Sequence, residues 1–296
     1  MKINNRVLMC WPTNFSNNWE DPKLNPWMKL VRQPDVGIAM GQFGKLYHLY
    51  QYLKVKIYAL PPEPSLGDQT FTANLAWGVP VWSEESAVRR MFVMANMAPE
   101  HRRPEVKIAA RWFADNRFNT YFLPEEIGFE GQGDIITTKN AYLYCYGIRN
   151  SLKAMEEIKK VFNLKKKVIP LKLKSSSFYH GDVCLRYSRK RDAILFHPNA
   201  FDEEGVRSIE NLNARKIKEV NEKFVVQELG SKGRNFPLNG CYIDSVETFP
   251  WNDEVEEFPR SIRSWIESDG GEVVTLDFSQ FGLSGAGHRC VTLFLD

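Results

Sequence analysis

The chain of 296 residues carries 39 basic and 36 acidic side chains, and 43% of its residues are apolar. That length supports one large domain or two smaller ones, and the composition excludes a disordered chain. An excess of three positive charges gives no reason to expect nucleic acid, and no apolar run approaches the roughly 20 residues of a membrane span.

The N-terminal Met1-Lys-Ile-Asn-Asn-Arg6 lacks a signal-peptide core, because Asn4, Asn5 and Arg6 interrupt it and Pro12 follows, so an intracellular, cytoplasmic protein is expected. A β-like stretch at Val7–Cys10 is followed by a helical pattern over Gly37–Leu53 and a strand over Lys54–Leu60. Pro61-Pro-Glu-Pro64 reads as a stiff surface loop. Further strands are predicted at Phe71–Leu75, Ile135–Thr138, Ala141–Tyr146, Val168–Leu173, Ala193–Phe196, Gly240–Ile243 and Val273–Asp277. Helices are predicted over Arg103–Asn116, Ser151–Phe162, Gly205–Leu229 (broken) and Phe258–Asp269. In the second of these four, Leu152, Met155, Ile158 and Phe162 form an apolar stripe. The last stops at Asp269-Gly-Gly271. The Lys165–Lys167 cluster reads as a solvated loop.

One helix per roughly 45–65 residues, with strands on both sides, fits either a doubly wound sheet or a ring of repeated ββαβ units. No low-complexity linker divides the chain, so residues 1–296 read as one continuous domain. No Gly-x-Gly-x-x-Gly follows a strand and opens a helix, and Gly131-Gln-Gly133 is too short and precedes a strand, which leaves a dinucleotide site unsupported.

Five widely spaced cysteines without a Cys-x-x-Cys argue against both a disulfide framework and a zinc site. Cys10, Cys145, Cys184 and Cys241 lie in apolar or aromatic text and read as buried small hydrophobes. Cys290 differs, because Gly285-Ala-Gly-His-Arg-Cys290 is a glycine-bearing loop that leads into the strand-like Val291–Leu295. Two further strings, Phe178-Tyr-His180-Gly-Asp182 and Phe129-Glu130-Gly-Gln-Gly-Asp134, complete a possible reaction centre.

Cleaving a guanidinium or ureido carbon–nitrogen bond needs such a set. The carbon is a poor electrophile, so a thiolate must attack it, and nearby cations such as His288 and Arg289 would raise the thiolate fraction. A histidine then protonates the leaving amine and later deprotonates water. Carboxylates opposite a flat cation hold it by paired, charge-assisted hydrogen bonds. His180, Asp182, Glu130, Asp134 and Asp68 can supply these functions. Each residue alone also has a plain structural reading. Cys290 could be a core thiol, His180 a core histidine, Glu130 and Asp134 turn residues, and Asp68 a turn cap. His48, His101 and His197 read as structural or exposed.

Taken in order along the chain, these strings resemble the guanidino-group-modifying superfamily of arginine deiminases, dimethylarginine dimethylaminohydrolases and amidinotransferases. The resemblance runs from about Val7 to Asp296, through Val7-Leu-Met-Cys-Trp-Pro12, Asn25-Pro-Trp-Met28, Asp68-Gln-Thr-Phe-Thr-Ala-Asn74 and Arg102-Arg-Pro-Glu105. It continues through the Glu130 string, Tyr146-Gly-Ile-Arg149, the His180 string, Asn239 and the Cys290 loop. It implies a five-bladed β/α propeller (pentein) of ββαβ units, with the site in the central channel and neither metal nor organic cofactor. It also implies Cys290 as nucleophile, His180 as proton shuttle, and Glu130 and Asp182 on the guanidinium with Asp68 nearby. Asn239 would line the site, and Arg102 or Arg149 would hold the substrate carboxylate.

Where many deiminases have Asp at the end of the Phe71-Thr-Ala-Asn74 string, this chain has Asn74. That residue and Asn25 are similar to the arginine dihydrolase branch, which takes arginine past citrulline to ornithine, ammonia and carbon dioxide. Gly181 stands where relatives usually have Leu. The resemblance implies a small guanidino or ureido substrate and no membrane or nucleic-acid partner, and it leaves the oligomeric state open, a homo-oligomer included. A simple deiminase, a dimethylarginine hydrolase, an amidinotransferase and a non-catalytic propeller binding protein remain alternatives.

Overall fold

The structure, a computed structural model, describes residues 6–81 and 89–296. Residues 1–5, on which the leader-peptide reading falls, lie outside the described residues. Strand β1 (Arg6–Met9) leads to α1 (Val36–Tyr52) and then β2 (Lys56–Ala59). Next come β3 (Ala76–Val81), β4 (Arg89–Met94), α2 (Arg103–Asp115) and β5 (Asn119–Phe122). The third group is β6 (Ile135–Thr137), β7 (Ala141–Tyr146), α3 (Leu152–Phe162) and β8 (Lys167–Lys172). The fourth is β9 (Leu185–Ser188), β10 (Ala193–Phe196), α4 (Glu203–Glu210) and β11 (Lys216–Glu219). A small hairpin of β12 (Gln227–Glu228) and β13 (Arg234–Asn235) precedes the fifth group, β14 (Tyr242–Ile243), β15 (Val246–Pro250), α5 (Arg260–Glu267) and β16 (Glu272–Leu276). A short helix α6 (Ser279–Gly282) and β17 (Leu293–Phe294) end the chain.

The five three-stranded sheets share one wiring. An antiparallel pair is followed by a helix, and a third strand then joins parallel to the middle one. The first sheet is completed by the last strand, because β17 pairs antiparallel with β1 (Val7↔Phe294) while β2 pairs parallel on its other side. The chain ends are thereby tied together, and the Arg6 guanidinium meets Asp296 at 2.6 Å. Local chemistry sets the helix ends. Asp35 and Asp202 accept the amides of Ile38 and Gly205 and so satisfy orphan donors at the starts of α1 and α4. Ser151 does the same for α3, which ends at Asn163 in the left-handed conformation.

The five predicted helices all occur, but the strand predictions need correction. Phe71–Leu75 is not a strand. It belongs to two tight turns (Gly67–Thr70 and Thr72–Leu75), and the strand follows at Ala76–Val81. Gly78 and Pro80 hide that strand in the sequence, and it tolerates proline because it lies at the edge of its sheet. The broken helix over Gly205–Leu229 is one short helix followed by strand β11, whose alternating Lys216-Ile-Lys-Glu219 is paired to β10. Strands β4, β5, β9 and β15 were not predicted at all. No helix among the described residues is long and apolar enough to cross a membrane.

Neighbouring groups are packed through apolar clusters, such as Phe224, Phe249, Trp251 and Phe258 under α5. One buried ionic cluster joins the fourth and fifth groups. Glu247 on β15 receives Arg186 from β9 at 3.1 Å and Arg191 at 2.5 Å, with all three side chains buried. Removing the shared carboxylate leaves the buried Arg186 guanidinium without its ion-pair partner and Arg191 with only the more distant Asp269 at 4.0 Å. Glu247→Ala is expected to cost about 3–5 kcal/mol of folding stability, read from chemical denaturation, whereas Glu247→Gln is expected to cost less.

Candidate active site

Five loops lead into the first strand of each sheet, and every residue of the reaction set lies on one of them. Asn74 ends the turn before β3, and Glu130 and Asp134 flank the Gly131–Gly133 turn before β6. His180 and Asp182 sit in the turn before β9, Asn239 lies before β14, and Cys290 lies before β17. All seven side chains are buried. Segments more than 200 residues apart in sequence thus meet in one buried cluster, where the Ala73 amide donates to the Cys290 carbonyl at 3.0 Å.

His180 is the centre of the cluster. Its Nδ1 meets Asp134 Oδ2 at 2.5 Å, and the other oxygen of Asp134 accepts the Gly181 amide at 2.7 Å, which locks the ring's orientation. Its Nε2 lies 3.2 Å from Glu130 Oε2 and 3.2 Å from Asn74 Nδ2. The Asn74 amide is oriented by Arg102, which donates to its Oδ1, so the –NH2 faces the imidazole. A protonated Nε2 therefore donates to Glu130, and a deprotonated one accepts from Asn74, so both states of a proton carrier have a partner. Burial opposes the imidazolium charge, but Asp134 and Glu130 outweigh it and raise the His180 pKa to about 9. Burial likewise opposes charge on Glu130, yet Arg149 at 2.9 Å and His180 hold it well below the usual carboxylate range.

Opposite His180, the Cys290 Sγ lies 3.9 Å from Asp182 Oδ2. Asn239 Oδ1 accepts the amides of both Gly287 and Cys290 and so fixes the loop that presents the thiol. Burial, then Asp182, push the Cys290 thiol well above its ordinary value. Burial also raises Asp182 to about 6, against the pull of His180 and Arg289. The oxygens Asp182 Oδ1 and Asp68 Oδ1 are buried and have no hydrogen-bond partner among the described residues.

Several expectations change here. Burial does not set Cys290 apart, because all five cysteines are buried and free; its contact with Asp182 does. His288 supplies no cation. Burial pushes its pKa down to about 3, and its ring bonds Thr248 Oγ1 and the Leu276 carbonyl. Arg102 gives its guanidinium to Glu105, Asn74 and the Asp68 carbonyl, and so fixes the Asn74 amide. Arg149 is bound to Glu130 and to the Leu24 carbonyl. The Asn25 amide spans Ser284 O and the Trp27 amide, pinning its loop over the site. At Gly181 a Cβ would collide with Cys145 Sγ, so the glycine lets the His180 loop pack on that thiol. Gly133 does bear on the site, because a Cβ would lie 2.7 Å from Asn74 Nδ2.

Two residues carry no sequence signal for a role. Trp19 donates to Asp68 Oδ2 at 2.7 Å and packs on His101, whose Nε2 lies 3.4 Å from the same oxygen. Their spacing from Asp68 is irregular, and only the fold brings them together. His48 is near Gln51 on α1, and His197 is bonded to the Val220 carbonyl, both away from the cluster.

No family model matches the chain. Over 292 residues it is 26% identical to the bifunctional arginine dihydrolase/ornithine cyclodeaminase ArgZ of Synechocystis sp., covering 97% of this chain and 37% of ArgZ. The chain thus spans little more than a third of that relative's length. It is 28% identical over 178 residues, 60% of this chain and 54% of the relative, to N(G),N(G)-dimethylarginine dimethylaminohydrolase of Mycobacterium tuberculosis. The N-terminal domain of cyanobacterial ArgZ, as a cysteine-to-serine mutant bound to substrate, superimposes with a TM-score of 0.81 at 25% identity, covering 97% of each chain. In sequence and fold the chain is similar to enzymes of the guanidino-group-modifying superfamily, and it shares their mixed α/β pentein fold. Of the proteins in that superfamily, arginine dihydrolases are similar to it over 97% of its length.

Because folding raises the His180 pKa from 6.5 to about 9, its proton stabilises the folded state in full below pH 6.5, and this contribution is lost as pH climbs through about 9. A histidine NMR titration is expected to show one ring still protonated at about pH 8, absent in His180→Gln; a wild-type spectrum with every ring neutral by about pH 7 would contradict the assigned geometry.

Proposed function

We propose that this chain hydrolyses the guanidino group of L-arginine, taking it through citrulline to ornithine, ammonia and carbon dioxide. The observation that carries the reading is a thiol, an imidazolium and an unpartnered carboxylate oxygen converging in one buried pocket. ArgZ, whose N-terminal domain aligns with nearly the whole chain, is described as an arginine dihydrolase.

The chemistry then follows from the side chains. A bound guanidinium is flat and cationic, and Asp182 and Glu130 can receive its N–H groups. Its charge lowers the pKa of the adjacent Cys290 thiol, which gives up its proton to solvent as the substrate binds, so the substrate itself helps to form the thiolate in a site that otherwise disfavours it. The sulfur attacks the central carbon and forms a C–S bond. His180 gives its Nε2 proton to a departing nitrogen as the C–N bond breaks, which leaves ammonia and a covalent S-linked intermediate. Water, deprotonated by His180, attacks that carbon and the C–S bond breaks, returning the thiol and releasing citrulline. A second cycle on the neutral ureido carbon consumes another water and yields ornithine, ammonia and carbon dioxide. Asn74 supports this second cycle, because its –NH2 serves a neutral group that would gain less from a carboxylate. Asp68, with one buried oxygen free, is available to a cationic amino group of the substrate.

We also infer that residues 1–296 act as a single catalytic domain whose five ββαβ units close into a five-bladed β/α propeller. The β17–β1 pairing and the five first strands that line a single cavity support this reading. Five unpaired cysteines support a reducing, cytoplasmic setting.

Purified protein incubated with L-arginine is expected to give ornithine and two ammonia per arginine; citrulline with one ammonia would instead make it a deiminase. Cys290→Ser is expected to lose at least about 1,000-fold in turnover with an unchanged melting temperature. Full activity in that variant would remove the mechanism. Asn74→Asp is expected to accumulate citrulline, and undiminished ornithine output would exclude a role for Asn74 in the second cycle.

A further inference from the structure

The first strands of the five sheets face one open cavity of about 390 Å³. The reaction loops precede those strands, so the cavity extends farther along them and adjoins the reaction set only at Asp182. Asp182 and Arg289 form part of its wall, and Asp182 touches Cys290. Trp77, Ile136, Leu185 and Leu238 give it apolar stretches.

Its charges are unbalanced. Arg90, Lys166 and Arg189 all line it, and none of them makes an ion pair with a carboxylate among the described residues. Arg90 donates to the Gly78 carbonyl at 3.1 Å, and Lys166 donates to the Thr138 carbonyl at 2.6 Å. These bonds orient the two side chains without neutralising them. Two other lining cations are already committed, Arg186 to Glu247 and Arg289 to Gln132. Of the acidic groups on the wall, Asp296 is paired with Arg6 and Asp182 faces the thiol. Burial, then the charges of Arg189 and Arg90, push the Lys166 pKa down to about 8. Burial also lowers Arg90, with Arg189 and Arg6 adding to the effect against Asp296. Like charges converging on a concave, partly desolvated surface create a positive potential that an anion relieves.

We propose that this cavity is a second ligand site, distinct from the reaction pocket, that takes a compact polyanion on Arg90, Lys166 and Arg189. Multiple charged oxygens suit the site because guanidinium groups bind oxyanions in pairs of hydrogen bonds and the ammonium adds a point charge. The open cavity has room for an organic body behind the charged group, against Trp77 and Leu185.

Isothermal titration calorimetry of the whole chain with inorganic pyrophosphate, at constant ionic strength, tests the assignment. One saturable site is expected, weakened at least tenfold in Lys166→Gln and in Arg189→Ser. Arg189 is exposed and Lys166 is only partly buried, so both variants are expected to fold, and Arg189→Lys keeps the charge and should retain most of the binding. The absence of saturable binding to the wild type overturns the proposal. So does binding of equal strength in both charge-removing variants, which would place the anion elsewhere. Because the assay involves no turnover, its failure leaves the arginine reading untouched, and failure of that reading leaves this site untouched.

Discussion

Asp134 takes the Nδ1 proton of His180 with one oxygen and the Gly181 amide with the other, and neither side chain is open to solvent. A charge pair in such a place survives only if every remaining polar atom around it is answered. The neighbouring residues do this in turn. Glu130 faces the second ring nitrogen, Arg149 neutralises Glu130, and Arg149 itself is anchored on a main-chain carbonyl and stacked against Trp19 and Tyr179. Asn74, Arg102, Glu105 and Asp68 form a parallel chain on the other flank. The order in the pocket is an electrostatic requirement of one buried imidazolium.

The same requirement shapes what the pocket lacks. Asp182 and Asp68 each keep a buried oxygen without a hydrogen-bond partner among the described residues, an arrangement that costs folding free energy. Such a deficit is tolerable where a cationic ligand repairs it. Cys290 shows the same bias, being held protonated by burial until a positive charge arrives beside it. In the proposed reaction, substrate binding and thiolate formation at Cys290 become a single event.

Repetition explains how so many distant residues converge. Each unit contributes a loop before its first strand, and the five first strands share one cavity, so every such loop delivers its residues to the same place. The tight glycine turns at Gly131–Gly133 and Gly181 serve this convergence. They let Asn74 approach His180 closely and let Cys145 pack directly behind the catalytic loop.

Helix periodicity, turn residues and the short polar strings are local properties, so the sequence by itself determined the five helices, the recurring unit and the identities of Cys290, His180, Glu130, Asp134 and Asp182 as a possible set. It failed where local signals conflict with position in a sheet. Gly78 and Pro80 disguise an edge strand, and the short polar text after Asn211 conceals β11. Tertiary structure alone decided the partners. Arg102 and Asn25 resemble ligand-binding residues in the linear chain, yet one is claimed by Glu105 and Asn74 and the other by main-chain atoms of Ser284 and Trp27. His288, two residues before Cys290 in sequence, is buried as a neutral ring facing Thr248, whereas Trp19 and His101 converge on Asp68 from different loops. Hydrogen bonding and desolvation act over a few ångströms of space, and a linear sequence does not record which distant residues will share that space.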